Sequence, residues 1–236
     1  MKLRAALAAS LLLACGAATA FDPIEHLQAR RDLYDVEWTG IGLGEGVIAL
    51  RPQGDGCFEY TSTTDPIALV RWLYGSPREE SRFCLRGDAV VSERFEYMND
   101  KRRKDGFLLD FDWGSSQVKT LKAGVMTVRE LPGPAYDRFS IREAVRLWVL
   151  RHVAGGAPAE ADFVMVDDDR FKSYRFRING TEAVQTPAGT FDAVRVDSVE
   201  RKRTQHFWLA PERDYIPVKI EQFKSGKLEL RMTLLR

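Results

Sequence analysis

The sequence predicts a mainly β fold: a strongly curved antiparallel sheet whose concave face takes one helix. Three observations predict it. Apolar and polar residues alternate with period two from Tyr34 to the C-terminus, the pattern of strands with one buried and one wet face. One-sided strands of this kind belong to antiparallel sheets. Turn signals separate them at Asp55-Gly56, Arg86-Gly87-Asp88, Asn179-Gly180, Pro187-Ala188-Gly189 and Lys224-Ser225-Gly226-Lys227. One stretch, about residues 140–154, has helical spacing instead.

The composition supports a packed domain. The chain has 236 residues, 44% hydrophobic and 29% charged, which is ordinary globular usage and excludes wholesale disorder. The formal net charge of +1 excludes strong chain-wide attraction to nucleic acid. No internal apolar run is long enough to span a bilayer as a helix.

Residues 1–20 read as a secretory signal peptide. Lys2 and Arg4 form a positive start, Ala5–Ala14 an apolar run, and Ala18-Thr19-Ala20 a small-residue cleavage site. Cleavage after Ala20 makes the product a periplasmic protein of residues 21–236, one β-rich domain with an ordered core from about residue 30. Losing Lys2 and Arg4 leaves 33 basic residues against 34 acidic. An alternative reading of the same stretch is Leu12-Leu13-Ala14-Cys15 as a lipobox, with Cys15 lipidated and the domain anchored to a membrane.

Two cysteines then remain, Cys57 and Cys84. An even count in an exported chain favours a disulfide. Phe58 and Tyr60 share one strand face and Cys57 the other; Phe83 and Leu85 share one face and Cys84 the other. Both cysteines therefore fall on the polar side, where neighbouring strands bring them together. Two cysteines and three scattered histidines give no metal-ligand spacing.

Pro66–Tyr74 is a short helix candidate, about residues 66–74, with Pro66 suited to its first turn. Phe107, Leu109, Phe111 and Trp113 alternate with Leu108, Asp110 and Asp112. Ser140-Ile141-Arg142-Glu143 has the form of a capping box, and Gly155-Gly156 ends the helix that follows. Its apolar stripe packs most simply on the concave face of the sheet. Asn179-Gly180 predicts a tight hairpin between Phe171–Ile178 and Thr181–Thr186. Residues 215–223 and 227–235 predict a final hairpin.

Several segments in order carry a family resemblance. They are Phe58-Glu59-Tyr60-Thr61-Ser62, Leu109-Asp110-Phe111-Asp112-Trp113, Gln185-Thr186-Pro187-Ala188-Gly189-Thr190-Phe191, Phe207-Trp208-Leu209-Ala210-Pro211 and Tyr215-Ile216-Pro217-Val218-Lys219. Together they resemble the exported Gram-negative family called domain of unknown function 3108, over nearly the whole mature chain. The resemblance implies no catalytic residue, since the family carries no assigned activity. More faintly, the closing segments are similar to periplasmic lipoprotein carriers. That likeness implies a half-open antiparallel β-barrel around a central helix, with an apolar ligand cavity, and is analogy of fold alone.

Chemistry is sparse. Asp110 and Asp112 share a strand face and read as a solvated pair or as acid–base partners. Asp167-Asp168-Asp169 lacks the glycine and closing glutamate of a calcium loop and reads as a polar turn. His26, His152 and His206 have no nucleophile elbow near them. No cofactor motif is present. The aromatics are the lead: Trp38, Phe58, Tyr60, Phe111, Trp113, Trp148 and Trp208 are expected to face inward, in a packed core or around an apolar cavity. The run Lys101-Arg102-Arg103-Lys104 reads as a solvated tip or as a contact for anionic lipid headgroups. The expectation is an exported, non-catalytic binding or carrier protein for an apolar or lipid-like ligand. Alternatives are an envelope assembly partner with a solid core, and an uncharacterised hydrolase.

Overall fold

The computed structural model describes residues 21–199 and 203–236. The expected signal peptide, the cleavage after Ala20 and the lipidation of Cys15 lie outside the described residues. The first half of the chain forms β1 (Arg30–Trp38), β2 (Ile41–Gly54), β3 (Cys57–Pro66), α1 (Ala68–Tyr74), β4 (Pro77–Arg86), β5 (Ala89–Asn99), β6 (Phe107–Asp112), β7 (Gln117–Lys122) and β8 (Val125–Glu130). The second forms α2 (Ser140–Val153), β9 (Glu160–Val166), β10 (Phe171–Thr186), β11 (Gly189–Ser198), β12 (Arg203–Ala210), β13 (Ile216–Lys224) and β14 (Lys227–Leu234).

The fourteen strands among the described residues belong to one antiparallel sheet in the order β8-β7-β6-β5-β4-β3-β2-β1-β14-β13-β12-β11-β10-β9. The two halves are meanders joined where β1 pairs with β14, Tyr34 opposite Leu234. The sheet is therefore mainly β and strongly curved but not closed, as predicted. Its two edge regions are tied by side chains and a connector. Lys122 pairs with Asp168, and Arg129 donates to the Asp167 carbonyl at 2.9 Å. Tyr136, on the way into α2, bridges to Met165 of β9. Successive antiparallel strands place their connections at alternate ends. The β1–β2, β3–β4, β5–β6, β9–β10, β11–β12 and β13–β14 connections share one end, called the upper end below.

α2 lies in the concavity. Ala144, Val145, Leu147, Trp148, Val149 and Leu150 are all buried. Each large apolar chain buried this way contributes about 1.5–3 kcal/mol, so packing rather than intrinsic propensity holds the helix. It also carries two buried charges. Arg146 Nε and one terminal nitrogen donate to Glu143 Oε2 at 3.0 and 2.9 Å. Arg30 of β1 binds the other Glu143 oxygen, and Arg146 reaches the Asp214 carboxylate at 3.0 Å. This network pins α2 to the lower end of both half-sheets. Burial alone would raise the Glu143 carboxyl, yet Arg146 and Arg30 together hold it below its ordinary value.

Three local expectations are corrected. Asn179-Gly180 does not form a hairpin: β10 runs straight through it, and the register with β11 slips between Ile178 and Thr181. Gly180 takes φ +92° as a bulge, held by Asn179 Nδ2 on Asp197 at 2.7 Å. The turn comes at Pro187-Ala188, before Gly189 opens β11. The Ser140–Glu143 capping box does not form either. Asp137 caps α2, accepting from Phe139 N at 2.8 Å and Ser140 N at 3.0 Å, while Glu143 turns inward to the arginines. The short helix starts at Ala68, because Pro66 still belongs to β3. None of its side chains is buried.

Candidate functional site

Between α2 and the concave face of the β9–β14 half lies a cavity of about 260 Å³. Its floor comes from Tyr174 and Phe176 of β10, Phe207 and Leu209 of β12, and Ile220 of β13. Strand alternation puts these residues on one face. Its roof is the Ile141–Val145 face of α2. Polar side chains ring the mouth: Arg138, Asp167, Lys172, Arg203 and Gln222. Lys172 opens β10, Arg203 opens β12 and Gln222 nears the end of β13, so this rim sits towards the upper end.

Most rim charges are already matched. Asp167 takes Arg138 at 2.8 Å and also Lys172. Burial opposes ionisation of Asp167, but those bonds outweigh it and hold its carboxyl well below the usual carboxylate range. Arg138 is raised against its own burial by Glu79 and Asp167. Arg203 meets Glu229 at 2.5 Å. Arg142 differs. It lines the cavity from α2, rests over the Phe139 ring at 4.7 Å, and makes no salt bridge among the described residues. Among the described residues the arrangement is an apolar hollow with one uncommitted cation in its wall, and it brings no nucleophile and base together.

None of the seven aromatic candidates lines this cavity. Phe58 stacks on Phe83 at 5.4 Å and Tyr60 on Phe139 at 4.9 Å. Phe111 stacks on Trp113, which donates Nε1 to the Ser92 carbonyl at 2.7 Å. Trp148 meets Phe163 edge-on and donates to the Pro158 carbonyl. These are packed core and its margin. Trp38 is exposed at the end of β1. Trp208 is buried, but on the face of β12 opposite the cavity, covered by Lys219 4.5 Å and Arg195 5.5 Å from its ring centre with Glu182 on its nitrogen. The register gives the reason: Trp208 stands opposite Arg195 and Lys219, whereas its neighbours Phe207 and Leu209 stand opposite Val196 and Val194. Phe207, Leu209, Ile220 and Arg142 were missed as site residues. Cross-strand matching of apolar with apolar would have found the first three.

The remaining candidates stay apart. Cys57 and Cys84 form a disulfide across β3–β4, at directly opposed positions; Cys84 is buried despite its otherwise polar face. Asp110 is exposed, and Asp112 holds the next turn through Ser115 N at 3.2 Å. Asp167-Asp168-Asp169 is the β9–β10 turn, each carboxylate paired with a cation. His26 pairs with Asp214 at 2.6 Å, His206 with Asp197 at 2.5 Å, and His152 meets the Ala157 carbonyl at 2.8 Å. Asp110 on β6 and His206 on β12 lie in opposite halves of the sheet.

The family model described as "Protein of unknown function (DUF3108)" matches residues 33–233. The chain belongs to this family. No curated protein and no solved structure matches it, so the likeness to lipoprotein carriers gains no support from these comparisons. The match begins in β1 and ends in β14, and so takes in the whole sheet and the cavity of this DUF3108 chain. No helix among the described residues is long and apolar enough to cross a membrane.

Proposed function

We propose that this chain is an exported, non-catalytic binding or carrier protein for an apolar, lipid-like ligand with an anionic end. The observation that carries the reading is the hollow between α2 and β9–β14, walled by Phe176, Phe207, Leu209 and Ile220, with Arg142 making no salt bridge among the described residues. Small-molecule sites have this character: mostly apolar walls and a few placed polar groups. The volume, about 260 Å³, lies just under the roughly 300–1,000 Å³ of typical pockets. It suits one acyl chain or a small ring system rather than a whole two-chain lipid. Export to the periplasm rests on the reading of residues 1–20, and the Cys57–Cys84 bond suits an oxidising compartment.

A titration with 1-anilinonaphthalene-8-sulfonate, an apolar dye with one anionic group, tests the site. The reading expects saturable one-site binding that a long-chain fatty acid displaces. Gln222→Trp, which narrows the mouth, and Arg142→Gln, which removes the free cation, each weaken binding. Trp38→Ala, at an exposed position outside the cavity, leaves it unchanged. Equal binding by wild type and both cavity variants contradicts the assignment of the site.

A further inference from the structure

The sharpest feature outside the cavity is α1. Leu69 is 64% exposed and Trp72 72%, and Ile67, Leu73 and Tyr74 are exposed beside them. Single exposed apolar residues are ordinary, but five between Ile67 and Tyr74 make a patch. A helix of seven residues has little stability of its own in water, and this one gives no side chain to the core.

Yet the patch is held in a defined place. Asn99, buried at the end of β5, donates Nδ2 to the Tyr74 carbonyl at 3.1 Å. Its Oδ1 accepts from Lys101 N and Arg102 N, both at 3.0 Å. Asp100 accepts from Ser76 N at 2.8 Å. Gly75 ends the helix at φ +76°, and a Cβ there would stand 2.3 Å from Asp100 Oδ1 and 2.5 Å from Asn99 Oδ1. The same two side chains therefore fix the end of α1 and launch the basic run Lys101–Lys104. Arg102 closes the unit with its guanidinium 4.8 Å from the centre of the Tyr74 ring.

Local acids do not neutralise the run. Asp65 is taken by Arg71, and the two acids that flank the run, Asp100 and Asp105, still leave residues 100–105 at a net charge of +2. Among the described residues, none of Lys101, Arg102, Arg103 and Lys104 makes a salt bridge. An exposed tryptophan and leucines beside a fixed, net basic run match one surface well. Tryptophan and tyrosine favour the headgroup level of a bilayer, and each cation near an anionic leaflet gains about fivefold in binding.

We propose that α1 and the Lys101–Lys104 run together form a docking site for an anionic lipid bilayer surface. This goes beyond the carrier reading and stands without it. The two sites do share the upper end of the sheet, so a bilayer against α1 would face the end where Arg203 and Gln222 rim the cavity.

Flotation of the full chain with vesicles tests it, using phosphatidylcholine alone and phosphatidylcholine mixed equally with phosphatidylglycerol. Residues 1–20 are in the same processing state in every variant, so differences report the patch. Wild type is expected to bind the anionic vesicles and to release in high salt. Leu69→Ser with Trp72→Ser, and separately Lys101→Glu with Arg103→Glu, each lower that binding at least about tenfold. Thermal unfolding checks that both variants fold. Trp72→Phe keeps binding but loses a blue shift of tryptophan emission that wild type shows on adding anionic vesicles. The proposal is overturned if wild type binds neither vesicle, or binds both equally. It is also overturned if the Leu69/Trp72 variant binds like wild type, or if that variant instead dissociates a dimer, which would make the face a contact between copies.

Discussion

Arg146 and Glu143 lie one turn apart on α2, each 2% exposed, joined by two hydrogen bonds at 3.0 and 2.9 Å. The pair sits between Arg30 of β1 and the Asp214 turn, so it orients α2 over the sheet and sets the cavity roof. A buried pair adds little net stability, but removing one partner strands the other in a medium that solvates it poorly. Glu143→Ala leaves Arg30 and Arg146 buried together without their common carboxylate. It is expected to cost about 3–5 kcal/mol, read as a lower urea midpoint with the slope retained.

Acid should weaken the fold through specific carboxylates. The Asp167 carboxyl is held below its ordinary value of 3.8. An acid lowered on folding binds fewer protons in the native state. Its contribution is therefore complete above the ordinary value and is lost as pH falls through the range beneath it. Asp137 has the opposite sign, because burial outweighs the hydrogen bonds its carboxylate accepts and raises its carboxyl. Its contribution is present at low pH and is lost as pH rises through its folded value. Stability measured by denaturant between about pH 5 and 2 is expected to fall less steeply in Asp167→Asn than in wild type, and more steeply in Asp137→Asn.

Much of this architecture was legible in the sequence, and the misses share a cause. Alternation marks a strand and its two faces from local residues alone. Tyr174–Ile178 and Val218–Glu221 therefore read correctly, and so did the β3–β4 pairing that brings Cys57 to Cys84. Which face borders the cavity depends on neighbours distant in the chain, and Trp208, though buried, lies on the other face for that reason. Asn179-Gly180 has the chemistry of a turn, but long pairing on both sides made a bulge cheaper. Ser140 and Glu143 have the spacing of a cap, but each has a tertiary partner: Ser140 meets Ser92 at 2.7 Å, and Glu143 meets the arginines. The cavity itself left no local signature, because a hollow is a property of how α2 sits on the sheet.

Asp137 should matter more than Ser140 to the start of α2. It is fully buried, accepts from two backbone N–H groups and from Ser81 Oγ at 2.8 Å. Asp137→Ala removes the cap and leaves buried donors unmet, at a cost of about 2–4 kcal/mol. Ser140→Ala leaves the buried Asp137 N–H and Ser92 Oγ each short of a partner but keeps the carboxylate cap, and should cost less, about 1–2 kcal/mol. Calorimetric melts of the two variants rank them directly.

Reducing the Cys57–Cys84 bond should destabilise without unfolding. The cysteines are 27 residues apart, and closing a loop of that size stabilises by about 3–4 kcal/mol in the chain-entropy model. The sheet and α2 do not depend on the bond for their core. A melt with excess dithiothreitol is expected to shift down by several degrees and to remain one cooperative transition.

The central claim is that the hollow under α2 holds an apolar ligand. Native mass spectrometry of the chain, purified gently from a bacterial periplasm, tests it most directly. The account predicts a reproducible added mass of a few hundred daltons that leaves on denaturation and is absent from the Gln222→Trp variant. A bare polypeptide mass in wild type, with the disulfide formed and no adduct under any gentle condition, would contradict it.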